Sequence, residues 1–171
     1  MVKAQVGCSI KAFLCQQLGL SPEYVDKTIQ TIFLDGRPVD DIDSAMVEDG
    51  STLALSAAMP GLAGATLRKG GYYAPMRSQI SYREVTTSRP LQEGMILVKL
   101  FNLVLRDVGP TLLKQGIWIK GEDLSDFLGR QPDDFWSGCQ RAQVDGKDLN
   151  VAELLEMKWN DQEIFLQLRV I

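Results

Sequence analysis

The residue types best suited to chemistry gather in one stretch, Leu67-Arg68-Lys69-Gly70-Gly71-Tyr72-Tyr73, with Arg77 a few positions on. Arg68, Lys69 and Arg77 offer positive charge. Gly61, Gly64, Gly70 and Gly71 offer backbone N–H groups that nothing bulky shields. Tyr72 and Tyr73 offer rings on which a base could stack. Taken together, loop 61–77 reads as a candidate site for a small anion, a phosphate or a nucleotide. Pro60-Gly61-Leu62-Ala63-Gly64-Ala65-Thr66 matches neither the Walker spacing nor G-x-G-x-x-G. The other reading is a basic loop that docks on acidic neighbours such as Asp40, Asp41 and Asp43.

Elsewhere the composition excludes more than it offers. The 171 residues contain no His. That removes Ser–His and Cys–His dyads, a His general base and His metal ligands. The three Cys form no C-x-x-C pair, so no zinc or four-Cys iron–sulfur site is expected, and no cofactor. Cys8 precedes a helix cap, where a helix N-terminus lowers a thiol pKa. Cys15 follows Leu14 on the same helix, and Cys139 falls in a core slot. All three read as packing residues. The run Val39-Asp40-Asp41-Ile42-Asp43 lacks a calcium-loop pattern and reads as a solvated face, so no metal is expected. Asp133 and Asp134 read as first-turn acids of a helix. Trp118 alternates with Ile117 and Ile119 and is expected to be partly exposed. No Asp, Glu or Lys pair has a recognisable catalytic spacing, so no catalytic residue is assigned.

Charge falls in three blocks. Residues 1–59 carry four basic and eight acidic side chains, net −4; residues 60–89 carry five and one, net +4; residues 90–171 carry nine and thirteen, net −4. Within this pattern Ser51–Leu67 has no charge at all. Pro60, Gly61 and Gly64 interrupt it, so it is no membrane helix. It reads as a strand end at Ser51–Ser56 and then, over Ala57–Gly71, a loop or a short, frayed helical turn. Met1–Gly7 lacks a basic start followed by an apolar run, so no signal peptide is expected there. The overall reading is of a cytoplasmic, bacterial protein.

An internal repeat organises the rest. Gly7–Leu14 aligns with Gly121–Leu128, Pro22–Arg37 with Pro132–Lys147, and Asp49–Leu55 with Asn160–Leu166, at offsets of 114, 110 and 111 residues. Ser9 and Asp123 fall at N-cap positions. Ile10, Phe13 and Leu14 match Leu124, Phe127 and Leu128 as an i, i+3, i+4 stripe. Asp35-Gly36 and Asp145-Gly146 are turn dipeptides ending strands at 29–34 and 139–144. Met95–Arg106 reads as a further strand, Asp107–Pro110 as a turn, and Gly116–Lys120 as the returning strand.

A hairpin, a helix packed across it and then further strands is the β-grasp order. On these residues the chain resembles two tandem ubiquitin-like β-grasp modules, an α/β (α+β) architecture. The first resembles the small sulfur carriers of thiamine and molybdopterin biosynthesis, through Phe33–Val39 and Glu48–Leu55. The modules are expected at 1–89 and 90–171. The first lacks its opening hairpin strand, and Gln79–Thr87 is expected to return and fill the vacancy left beside Val2–Val6. The link 86–94 is short. Leu67-Arg68-Lys69-Gly70-Gly71 also resembles the L-R-x-x-G-G tail of ubiquitin-like modifiers. Carrier chemistry in those families implies a free carboxylate, and therefore cleavage after Gly71.

The expected role is non-catalytic: a protein-interaction or scaffolding module that uses a sheet edge or face. The uncharged 51–67 segment offers a patch for self-association as a homo-oligomer. The alternatives are a small anionic ligand at 61–77 and an atypical sulfur-carrier relative. A membrane and nucleic acid are not expected partners.

Overall fold

The computed structural model describes residues 1–83 and 90–169. They divide into two compact units, Met1–Ile117 with the chain end from Gln167, and Trp118–Leu166. The division falls at 117/118, not at the expected 89/90, because the strand that starts at Gln92 belongs to the first unit's sheet.

That unit opens with strand β1 (Val2–Val6), whose burial alternates strictly. Gly7 turns the chain at φ +83° into the short β2 (Cys8–Ser9). Helix α1 (Ile10–Ala12) starts where Ser9 Oγ accepts the Ala12 N–H at 3.2 Å, and it runs on as a π-helical turn over Phe13–Gln17. Helix α2 (Pro22–Lys27) is capped by Ser21 with Pro22 in its first turn. Strands β3 (Thr31–Leu34) and β4 (Arg37–Pro38) meet over Asp35 and Gly36, at φ +49° and +77°. Both central residues with positive φ make the two-residue turn that matches strand twist. Strand β5 (Met46–Val47) pairs with β2, and β6 (Thr52–Ser56) pairs antiparallel with β3. Helix α3 (Gly61–Leu67) and a 3₁₀ turn at Ala74–Arg77 follow, then strand β7 (Gln92–Leu100) and helix α4 (Asn102–Gln115).

The strands form one sheet in the order β1-β7-β6-β3-β4. β7 runs antiparallel to β1, with Val2 opposite Ile96, and parallel to β6, with Leu53 opposite Val98. One sheet face carries the buried residues Val2, Val6, Ile32, Leu34, Leu53, Leu55 and Ile96. Ile10, Phe13 and Leu14 pack in the same core, as do Val104, Val108 and Leu112 of α4.

This arrangement corrects several expectations. The place beside β1 is filled by 92–100 and not by 79–87; residues 79–81 are turn and bend, 82–83 form no strand, and 84–87 lie outside the described residues. The strand expected over 95–106 ends at Leu100. Val104, Val108 and Leu112 instead make an i, i+4, i+8 helical stripe, which the β-branched composition concealed. The turn expected at Asp107–Pro110 lies inside α4, which accommodates Pro110 on its exposed side. Of the two forms expected for Ala57–Gly71, loop or short helical turn, the structure has a short helix, α3. Gly64 lets that helix approach the chain before it, since a Cβ at 64 would collide with the Met59 carbonyl.

The second unit runs β8 (Ile117–Lys120), α5 (Gly121–Gly129), a 3₁₀ turn at Asp133–Gly138, β9 (Ala142–Val144), β10 (Lys147–Leu149), α6 (Val151–Glu156) and β11 (Glu163–Leu166). β9 and β10 form a hairpin over Asp145 and Gly146, at φ +49° and +81°. β8 pairs with β11, so the expected hairpin between 95–106 and 116–120 does not form. Helix α5 begins two residues before Asp123, which lies in its first turn and is not its cap. Gly121 sets that start: its N–H donates to the Gln162 carbonyl at 2.9 Å, and a Cβ there would strike the Asn160 carbonyl. Cys139 is half-buried, where its counterpart Ile29 is fully buried. Among the described residues no helix is long and apolar enough to cross a membrane.

Candidate functional site

The segment from Gly61 to Ser81 is built around one buried cation. Arg77 is 4% exposed and every edge of its guanidinium is used. Nη1 and Nη2 donate to the two Asp40 carboxylate oxygens at 2.9 and 2.7 Å, the bidentate geometry that suits arginine. Nε donates to the Thr66 carbonyl at 2.8 Å, Nη2 to the Arg68 carbonyl at 3.3 Å, and Nη1 to Ser81 Oγ at 2.6 Å. Asp40 Oδ1 also accepts the Gly70 N–H at 2.9 Å. Arg77 thus ties the end of α3, the Gly-Gly turn and the chain after the 3₁₀ turn to one carboxylate of the sheet unit.

Lys69 is likewise turned inward. Its N–H donates to the Gln30 carbonyl at 2.7 Å, its Nζ donates to the Val25 carbonyl at 3.2 Å, and Asp26 stands 3.8 Å away. Burial pushes its ammonium below the usual lysine range. Gly70, at φ +59°, and Gly71, whose N–H donates to the Arg68 carbonyl at 3.1 Å, form a hydrogen-bonded turn. They are not an extended tail.

Of the seven residues singled out, then, Lys69, Gly70, Gly71 and Arg77 hold the segment in place. Arg68, Tyr72 and Tyr73 face solvent. Arg77 and Lys69, offered as ligand or partner contacts, serve as internal ties here: Arg77 docks on Asp40, as the reading of a basic loop on acidic neighbours expects, and Lys69 turns to the Val25 carbonyl and Asp26. Tyr72 is 91% exposed, and its ring meets that of Tyr73 edge-on at 5.1 Å. Sequence reasoning missed the company these rings keep: Met76 at 73%, Leu62 at 69% and Ile80 at 59% exposure. The signal was available, since large apolar residues recur in a Gly-rich stretch whose core contribution is small. The ordered segment thus exposes five large apolar or aromatic side chains.

The acidic run divides its work. Asp41 caps its own turn, accepting N–H groups of Asp43 and Ser44, and hydrogen bonding to Ser44 holds its carboxyl below the usual range. Asp43 pairs with Lys11 at 3.0 Å. Among the described residues no cluster of His, Cys, Asp or Glu is suited to a metal ion.

Both edges of the five-stranded sheet are blunted. On β1, the Gln17 side chain accepts the Gln5 N–H at 2.8 Å and donates to the Gln5 carbonyl at 2.8 Å. Lys3 on that strand pairs with Glu93 at 2.8 Å. At the far edge, β4 is two residues long and contains Pro38, whose carbonyl accepts the Tyr82 N–H at 2.8 Å. Charge, proline and a covering chain are the usual defences of an exposed edge. Strand addition to this sheet is therefore disfavoured.

The thiols are quiet. Burial raises Cys8 and Cys15 above the ordinary thiol range, so the helix start beside Cys8 does not activate it. Tyr24 Oη donates to Asp107 Oδ2 at 3.1 Å and links α2 to α4. Burial and that bond push its pKa up to about 12. The folded state therefore keeps this proton longer than the unfolded chain, whose tyrosine titrates near about 10. The stabilisation is complete below pH about 10 and is lost as pH rises through the folded value of about 12. Urea titrations of wild type and Tyr24→Phe should show a stability gap that narrows over this window. A constant gap would contradict the assignment.

In the second unit, Glu122, Asp123, Ser125, Asp126 and Trp159 line an open acidic cleft. The neighbouring Asp161 carboxyl, through hydrogen bonding and like charge, raises the Glu122 carboxyl above its usual range.

No protein-family model, curated protein or solved structure matches the chain.

Proposed function

We propose that the chain is a non-catalytic protein-interaction module on a β-grasp sheet, and that its docking surface is the 61–80 segment. Strand order supports the fold part of this reading. Read circularly from β7, the first unit runs antiparallel pair β7–β1, helix, then further strands, as a circularly permuted β-grasp domain would. The second unit repeats the element order strand, helix, hairpin, strand, at the offsets seen in the sequence.

One observation carries the functional part: the buried Arg77–Asp40 pair spends the segment's charge on holding it still, while Leu62, Tyr72, Tyr73, Met76 and Ile80 stay exposed. Aromatic side chains supply contact area at little entropic cost, which is why they anchor interfaces, and the flexible Met76 adapts to the partner beside them. An anion site at the same place would have to rely chiefly on Arg68.

The test places a photo-crosslinking residue at Tyr72 in cells and identifies the captured protein. Binding of that purified protein is then measured by calorimetry. Tyr72→Ala with Met76→Glu should weaken it at least about tenfold with the melting temperature unchanged. Arg68→Ala should not. Affinity unmoved by the double change would refute the surface. A melting shift with phosphate or ATP that Arg68→Ala abolishes would favour the anion reading.

A further inference from the structure

We infer that the second unit is an acceptor for an extended, basic segment of a partner protein, which adds a strand to the β8–β11 sheet.

The first unit shows what the second one lacks. By the sequence alignment, β8 corresponds to β1 and β11 to β6. In the first unit β1 and β6 do not pair with each other; both pair with β7, which lies between them. In the second unit β8 and β11 pair directly, and no third strand joins that sheet among the described residues. Two-stranded sheets are marginal in water, and a third strand is the usual remedy.

Burial tells the same story. Among the described residues of 118–166, Leu124 is the one apolar side chain that is fully buried. Phe127, Phe135, Leu155 and Phe165 remain 44–50% exposed. Phe165 lies on β11 itself, its ring 5.4 Å from that of Trp118 on β8. The first unit's two sheet edges are blunted by Gln17, Lys3 and Pro38, which disfavours strand addition there.

Charge selects the occupant. Residues 118–166 carry five basic and eleven acidic side chains, net −6. A basic segment is attracted and an acidic one repelled. A second copy does not meet this requirement: it carries net −4 overall, and its own β7 is already committed to its sheet. β7 shows the pattern such a strand needs, with Ile96, Val98 and Leu100 at alternate positions on the core side.

The probe is a synthetic peptide carrying residues 91–101 between Lys-Lys flanks, added to the full chain. Trp118, Trp136 and Trp159 all lie in the second unit, so tryptophan emission reports on it. The expected result is saturable binding, at least about tenfold tighter than for the same core between Glu-Glu flanks. Replacing the peptide's Ile and Val at the positions of Ile96 and Val98 by Pro should abolish it. Hydrogen exchange should slow at 117–120 and 163–166. Phe165→Asp should weaken binding at least about tenfold. Tyr72→Ala with Met76→Glu should leave it unchanged, which separates this surface from the 61–80 surface. Absence of binding, indifference to flank charge, or protection confined to 2–6 and 52–56, where the peptide would merely displace β7, overturns the inference.

Discussion

A chain terminated at Gly71 is expected to be unfolded at 25 °C. It keeps β1, β3, β4 and β6 but loses β7, the strand that joins β1 to β6. With it go the fully buried Ile96 and the α4 residues Val104, Val108 and Leu112. Burying one such side chain contributes about 1.5–3 kcal/mol, so these four together contribute about 6–12 kcal/mol. The whole stability of a domain is about 5–15 kcal/mol. Circular dichroism and amide NMR dispersion of residues 1–71 check this directly. A folded, dispersed 1–71 would restore the sulfur-carrier reading, in which Gly71 becomes a free terminus. As the structure stands, cleavage there would remove the central strand of the domain that presents the Gly-Gly. The mass of the purified full chain should therefore be that of 171 intact residues.

Replacing Arg77 by Ala is expected to cost about 2–3 kcal/mol in urea titrations. Breaking a buried ion pair costs about 3–5 kcal/mol, and the partial exposure of Asp40, at 38%, reduces that here. The loss is spread over Asp40, Thr66, Arg68 and Ser81, whose acceptors are left unmade. Arg77→Lys should recover little, because an ammonium cannot bind both Asp40 oxygens and the Thr66 carbonyl from one plane. Limited proteolysis should then cut within 61–80 while the sheet stays resistant. Unchanged stability together with unchanged proteolysis would show that Arg77 does not hold the segment. Partner binding should fall in Arg77→Ala although Arg77 itself reaches no partner, since the exposed rings lose their fixed platform.

Local chemistry made part of this legible. Asp-Gly dipeptides adopt positive φ at both residues with little strain, so the turns at 35–36 and 145–146 stand where they were expected. Ser9 is a cap because its oxygen reaches a free N–H three residues on. Asp123 has the same sequence context and is not a cap, because Gly121 packs against the 159–160 backbone and starts the helix earlier. The basic loop was visible as a cluster of like charge. That Arg77 docks on Asp40 was open in the sequence, as the reading of a basic loop against acidic neighbours; that Lys69 turns to Val25 and Asp26 was not, because Val25 lies 44 residues away.

The sequence by itself determined the Asp-Gly turns, the Ser9 cap, the strands β1, β3 and β6, and the absence of His. All of these rest on interactions within a few residues or on composition alone. Tertiary structure decided the owner of 92–100. That strand is apolar enough to serve either unit, and only its pairing with β1 and β6 assigns it to the first. It also decided that 102–115 is a helix, since the stripe Val104, Val108 and Leu112 is worth more against the core than β-branched propensity costs. And it decided which charges remain for function. A basic residue keeps its charge for a partner only if the fold has not already brought an acid to it.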